Sequence, residues 1–178
     1  NGTLVVDPDE STRLNAESAV KLSHRQRKAA EKLATKPAIT TDGHRIEVAA
    51  NIGGLDEARK AAESGAEGVG LLRTEFLFLE REQEPTEQEQ FDVYREIMQV
   101  LQGKPVIIRT LDIGGDKPLP YMPMASEQNP FLGERGIRLC LSKPDLLTNQ
   151  LRAILRAADF GPLRIMFPMI SSIDEFCQ

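Results

Sequence analysis

GAEGVGLLRTE, residues 65–75, and PVIIRTLDIGGDK, residues 105–117, are two apolar runs that each end in Arg-Thr. An acid follows the first and a glycine-rich loop follows the second. Continuous apolar runs of this kind read as strands covered on both faces, so polar chemistry surfaces at their ends. Arg73 and Arg109 hold those ends. A guanidinium is always charged and offers a planar fork of donors that fits phosphate or carboxylate oxygens. Two forks at adjacent strand ends describe an anion site.

Outward from these runs, strands and helices alternate. Ile46 to Ile52 reads as a strand, and Leu55 to Ser64 as an amphipathic helix closed by Gly65. Glu67 to Leu72 is the second strand, and Pro85 to Leu101 the second helix, with Phe91, Tyr94, Ile97, Met98 and Leu101 at helical spacing. Val106 to Leu111 is the third strand. Pro144 to Phe160 is the third helix, with Leu147, Leu151, Ile154 and Leu155 inward. Leu163 to Met169 is the fourth strand, and Ser172 starts a fourth helix. This alternation predicts parallel α/β units: half of a (β/α)8 barrel or one open doubly wound sheet. No GxGxxG opens the first helix, which disfavours a dinucleotide fold. The long loop from Asp112 to Leu132 favours the barrel, which places its sites on loops at strand C-terminal ends.

Ahead of the α/β region the rhythm differs. Gly2 to Val6 reads as a short strand. Asp7-Pro8-Asp9-Glu10 reads as a helix start with Asp7 as cap, and the helix runs to Lys36, where Pro37 stops it. Its apolar residues are sparse, so it is expected to be largely exposed and to link two bodies. At about 28 residues it would span roughly 40 Å.

The chain has 178 residues, 40% of them hydrophobic and 28% charged, with a net charge of −5. That charge argues against nucleic acid as a partner. No apolar run approaches the roughly 20 residues of a membrane span, so no membrane insertion is expected. Cys140 and Cys177 show no metal spacing and read as reduced thiols of a cytoplasmic protein. No signal peptide opens the chain and Asn1 is not an initiator Met, so the start reads as a cut from a longer protein. Residues 11–36 carry seven Lys/Arg and two Glu, whereas residues 75–92 carry seven acids and one Arg. Both stretches read as solvated helix faces.

Three segments together resemble the phosphoenolpyruvate-utilising enzymes: GAEGVGLLRTEFLF (residues 65–78), RTLDIGGDKPLPY (109–121) and NPFLGERGIR (129–138). The combination is most similar to the Enzyme I family of the bacterial sugar phosphotransferase system, and PAITTDGHRIEVAANIG (37–53) and LRIMFPM (163–169) extend the likeness. The resemblance implies a (β/α)8 TIM barrel that binds phosphoenolpyruvate with Mg²⁺. It implies transfer of the phosphoryl group to a histidine on a swivelling domain, then to a phosphocarrier protein. By this likeness residues 1–8 end the swivelling phosphohistidine domain, 9–37 are a helical linker, and 38–178 are the N-terminal half of the barrel. Arg73 and Arg109 match the family's phosphate-binding arginines, and Arg135 matches a third arginine with a supporting role. Glu134 stands where the family is expected to carry an aromatic.

The same likeness implies what this stretch lacks. The phosphoryl-accepting histidine sits in a Gly-Gly-x-x-Ser-His context, which neither Ser23-His24 nor His44 reproduces. The Mg²⁺ ligands and a catalytic Cys belong to later barrel strands, so no catalytic or metal-binding residue is expected within 1–178. Asp112 and Lys117 read as loop organisers, and Glu75 as a group that orients Arg73 or its loop. The parent is expected to be a homodimeric phosphoenolpyruvate-protein phosphotransferase, with this stretch inactive alone. Two alternatives stay open: a non-catalytic, truncated interaction module, and a dikinase or synthase of the same superfamily.

Overall fold

The computed structural model describes residues 2–79, 81–114, 119–122, 128–129 and 131–178. The chain divides into two compact units, 1–37 and 38–178.

The first unit is one helix, α1 (Glu10–Leu33), none of whose residues is buried. Asp9, not Asp7, caps it: the Asp9 carboxylate accepts from the Thr12 N–H at 2.7 Å. Hydrogen bonds from Thr12 and Ser11 hold that carboxyl below its usual range. Asp7 has a positive φ of 50° and stands outside the helix. Gly2 to Val6 forms no strand: its residues are exposed and pair with no strand among the described residues. The helix stops at Ala34, short of Pro37, because the last residues tighten into turns.

The second unit opens with a small antiparallel pair, β1 (Ala38–Ile39) and β2 (Arg45–Ile46), and then forms a four-stranded parallel sheet. Its strands are β3 (Ala49–Ile52), β4 (Gly68–Arg73), β5 (Val106–Arg109) and β6 (Leu163–Met166), paired in sequence order. The single strand expected over Ile46 to Ile52 is thus divided. At the break, Val48 exchanges backbone and side-chain hydrogen bonds with Glu67 instead of continuing one ladder.

Helices α2 (Leu55–Glu63), α3 (Glu87–Leu101) and α5 (Pro144–Ala157) connect the strands, and α3 packs against both α2 and α5. They cover one face of the sheet. In-register rows Ile52–Leu72–Ile108–Ile165 and Val69–Val106–Leu163 lie under them. The opposite face, with Asn51, Leu71, Ile107, Arg164 and Met166, is half-buried to exposed within this stretch of chain. Two shorter helices complete the unit: α4 (Ile137–Ser142), which the sequence reading lacked, and α6 (Ile173–Cys177), capped by Ser172.

On α5 the inward residues are Leu146, Gln150, Ala153, Ile154 and Ala157. Leu155, expected inside, is exposed, because the buried stripe runs one position earlier and includes a glutamine. Between β5 and α4 the described residues contain no helix or strand beyond an isolated Leu119–Met122 bridge. Gly115, Asp116 and Lys117 lie outside the described residues. Among the described residues no helix is long and apolar enough to cross a membrane.

Candidate anion site at the sheet rim

Arg73 and Arg109 are the last residues of β4 and β5 and stand directly opposite each other in the ladder. That register puts both on one face at one height. Arg135, just ahead of α4, reaches the same place: a cavity of about 360 Å³ is lined by Gly53, Arg73, Glu75, Phe76, Leu79, Arg109, Asp112 and Arg135. All three sequence-predicted arginines therefore share one cavity, at the C-terminal rim of the sheet. Three guanidinium groups face two carboxylates there, so the lining is net positive.

The two carboxylates hold the arginines in order. Glu75, in a single 3-10 turn directly after β4, forms an ion pair with Arg109. Asp112 sits between two arginines, 3.3 Å from Arg109 Nη1 and 3.0 Å from Arg135 Nε, with a second contact from Arg135 Nη2 at 3.3 Å. Both acids are nearly buried. Charge-assisted pairs in such surroundings are strong and directional. Glu75 thus orients Arg109, where the sequence reading favoured Arg73 or the loop. Asp112, expected to organise its loop, pairs here with Arg109 and Arg135. The Arg73 side chain, by contrast, makes no hydrogen bond or ion pair among the described residues and is exposed.

The cavity is left with unspent polar capacity. Glu75 Oε2 and Arg109 Nε are buried and have no hydrogen-bond partner among the described residues. Unpaired buried groups are uncommon and concentrate where function uses them. The Arg135 guanidinium also lies 5.4 Å from the Phe131 ring centroid, a cation–π distance. Glu134 accepts from the Ser142 hydroxyl, which gives this acid a structural partner on α4.

Gly114 is required beside Arg135. Its φ is 149°, and a Cβ there would meet the Glu134 carbonyl oxygen at 2.6 Å and the Arg135 side chain more closely still. Only glycine lets the two loop segments approach closely enough to bring Arg135 to the rim. His24 lies on exposed α1, and His44 in the turn between β1 and β2, where its carbonyl accepts from Thr40 N–H. The rim includes neither. Among the described residues no group of three or more His, Cys, Asp or Glu gathers as a metal site. Cys140 is buried on α4, and burial with the nearby Asp112 charge pushes its thiol up to about 12. It is an inert thiol, unlike the exposed Cys177.

A buried polar relay below the rim escaped the sequence reading. It joins Thr74, Tyr94, Gln90 and Gln150. Its sequence signal is two glutamines, Gln90 and Gln150, at inward helical positions.

Residues 27–178 match the family model described as the PEP-binding domain of the PEP-utilising enzymes. The chain is 55% identical over 174 residues to a multiphosphoryl transfer protein of Rhodobacter capsulatus, covering 98% of this chain and 21% of that protein. It is 48% identical over 176 residues to the phosphoenolpyruvate-protein phosphotransferase of Bacillus subtilis (strain 168), covering 99% of this chain and 31% of that protein. To the protein of the same name from Priestia megaterium it is 49% identical over 178 residues, covering 100% of this chain and 31% of that one. The chain therefore spans between a fifth and a third of the length of these relatives. With a family model matching most of its residues and close relatives along its whole length, the chain belongs to the PEP-utilising enzymes, as a PEP-binding domain.

Proposed function

We propose that the rim cavity binds the phosphate of phosphoenolpyruvate, and that the whole protein is a phosphotransferase. In this reading it passes the phosphoryl group from phosphoenolpyruvate to a histidine outside residues 1–178, then to a phosphocarrier protein. The observation that carries the reading is the in-register pair Arg73–Arg109 facing one net-positive cavity with Arg135. Phosphoryl transfer demands positioning of the donor and neutralisation of charge on the moving group. Arg109, fixed by Glu75 and Asp112, supplies a preorganised fork. Arg73, free of such partners among the described residues, supplies one that can close on the ligand.

The architecture proposed for residues 38–178 is the first half of a (β/α)8 barrel, with 9–37 as a linker and 1–8 as the end of the swivelling phosphohistidine domain. Sequential strand order with helices packed in the same order on one face supports an arc of a barrel over a doubly wound sheet. A cytoplasmic homodimer is the assembly that the family likeness implies.

Mg²⁺ would supply charge neutralisation to the reaction. The described residues do not fit it by themselves: Glu75 and Asp112 are spent on Arg109 and Arg135, and no third carboxylate joins them. Its ligands are proposed to lie outside this stretch.

Calorimetric titration of the whole protein tests the reading. Phosphoenolpyruvate is expected to bind and pyruvate to bind far more weakly, with Arg73→Met and Arg109→Met each removing the difference. Equal affinity for the two ligands would overturn a phosphate site.

A further inference from the structure

We infer that Gln150 is a positioning residue for the rim arginines: one buried carboxamide on α5 holds the ends of β4 and β5 at the spacing that Arg73 and Arg109 need. The inference rests on the phosphoenolpyruvate reading of the rim.

Gln150 is 1% exposed. Its Oε1 accepts from the Leu111 N–H at 2.9 Å. Its Nε2 donates to the Thr74 hydroxyl at 3.1 Å and to the Tyr94 hydroxyl at 3.2 Å. The Thr74 hydroxyl in turn donates to the Arg109 carbonyl oxygen at 2.9 Å. The carboxamide is thereby fully used, with both N–H groups and the carbonyl engaged.

The placement gives these bonds their meaning. The β4–β5 ladder ends at the Arg73–Arg109 pair. Thr74 follows Arg73 directly, and Leu111 stands two residues past Arg109. Just where the strands stop bonding each other, Gln150 bridges them and Thr74 ties back to Arg109. Thr74 and Tyr94 are, like Gln150, inaccessible to solvent, so no water can stand in for a lost partner. A displacement of about 1 Å in a positioning group can cost about 10²-fold in rate. Leucine at position 150 offers neither donor nor acceptor, methionine offers no donor and only a weak sulfur acceptor, and an ionised glutamate lacks the donors.

The test is made in the whole protein that carries this chain, by steady-state phosphoryl transfer from phosphoenolpyruvate and by thermal melting. Gln150→Met and Thr74→Val are each expected to lower kcat/KM for phosphoenolpyruvate by about 100-fold. Thr74→Ser, which keeps the hydroxyl, is expected to stay within a few-fold of the parent. Ile154→Val serves as the stability control: it trims the buried face of the same helix without touching the polar relay, and kcat/KM should not move. If Gln150→Met fails to fold, the Thr74→Val and Thr74→Ser pair decides. Loss of kcat/KM in Thr74→Val with recovery in Thr74→Ser supports the inference. Near-normal kcat/KM in Gln150→Met or Thr74→Val overturns it, as does an equal fall in Ile154→Val at equal loss of melting temperature. Arg109→Ala separates the two levels: if it abolishes transfer while Gln150→Met is neutral, only the positioning role falls. If Arg109→Ala is also neutral, the rim reading falls with it.

Discussion

The two faces of the parallel sheet are made by the same four strands yet do different work. On the face under α2, α3 and α5, Ile52, Leu72 and Ile108 meet in one row and are almost fully buried. On the other face Asn51, Leu71, Ile107 and Arg164 keep partial or full exposure, and the C-terminal rim carries Arg73 and Arg109. Alternation along a strand allows this division, because neighbouring side chains point to opposite faces. The lesson is that one face supplies cohesion while the other carries charge to a defined height. The comparison is broken by any substitution that moves both properties together.

The largest effect is expected at Arg109. Arg109→Ala should lower phosphoryl transfer from phosphoenolpyruvate by about 10²–10³-fold, the usual cost of a donor aimed at developing charge. It also leaves the Glu75 carboxylate buried beside no cation, which costs stability. Adding Glu75→Gln removes that charge, so stability should recover while transfer does not. Transfer that recovers with the second substitution would mean that Arg109 matters only as a partner for Glu75.

A smaller effect should separate the faces by stability alone. Leu72 is fully buried, and Leu72→Ala should cost about 2–5 kcal/mol in denaturant unfolding. Within residues 1–178 Arg164 lies exposed on the opposite face, so in this stretch taken alone Arg164→Ala should stay within about 0.5 kcal/mol. Comparable losses at the two positions would show that the faces are not energetically distinct.

The cohesive face and the rim differed in how far the sequence revealed them. The helices over Leu55, Pro85 and Pro144 were legible from apolar spacing, because each buries one stripe. The arginines were legible from position, because a charge closing an apolar run has few other places to go. Gln150 was not, since a glutamine at a helical position reads as solvent-facing unless its partners are known, and these lie 39 and 76 residues away. Helix α4 was hidden by its short length, and Gly136, which caps its start, has a φ of 57°. Leu155 misled for the opposite reason. Its hydrophobicity argued for burial, while the adjacent stripe through Ala153 and Ile154 took that place.

Cys140 sharpens the comparison from the alkaline side. Its thiol lies buried under the rim, weakly bonded to the Leu111 carbonyl oxygen at 3.8 Å. Its pKa is raised from 9.0 to about 12 by burial and the Asp112 charge. A raised pKa favours the protonated native state, so its contribution is complete below pH 9 and is lost as pH rises toward 12. Tyr94 shifts in the same direction, chiefly through burial. Melting temperature should therefore fall above pH 9, less steeply in Cys140→Ala. A thiol reagent at neutral pH should label Cys177 promptly and Cys140 only on unfolding.

The smallest predicted effect tests whether the covered face can be weakened without disturbing the rim. Helix α3 starts with a reciprocal cap: the Thr86 hydroxyl accepts from the Glu89 N–H at 3.2 Å, and the Glu89 carboxylate accepts from the Thr86 N–H at 2.8 Å. Thr86→Ala removes one half and should cost about 1 kcal/mol, while Thr86→Ser should cost much less. Neither should change KM for phosphoenolpyruvate, because the cap touches no rim residue. The cap also has a pH signature. The Thr86 N–H and the Arg81 guanidinium hold the Glu89 carboxyl below its usual range. A lowered pKa contributes stability above the ordinary carboxylate range and loses it as pH falls through the native value. The stability difference between the parent and Thr86→Ala should therefore narrow in acid, where Glu89 takes up a proton and releases its half of the cap. A difference that stays constant down to pH 3 would assign the cap's worth to the threonine hydroxyl alone. A change in KM would mean that the start of α3 reaches the rim, by way of Tyr94 and Gln150, and is not confined to cohesion.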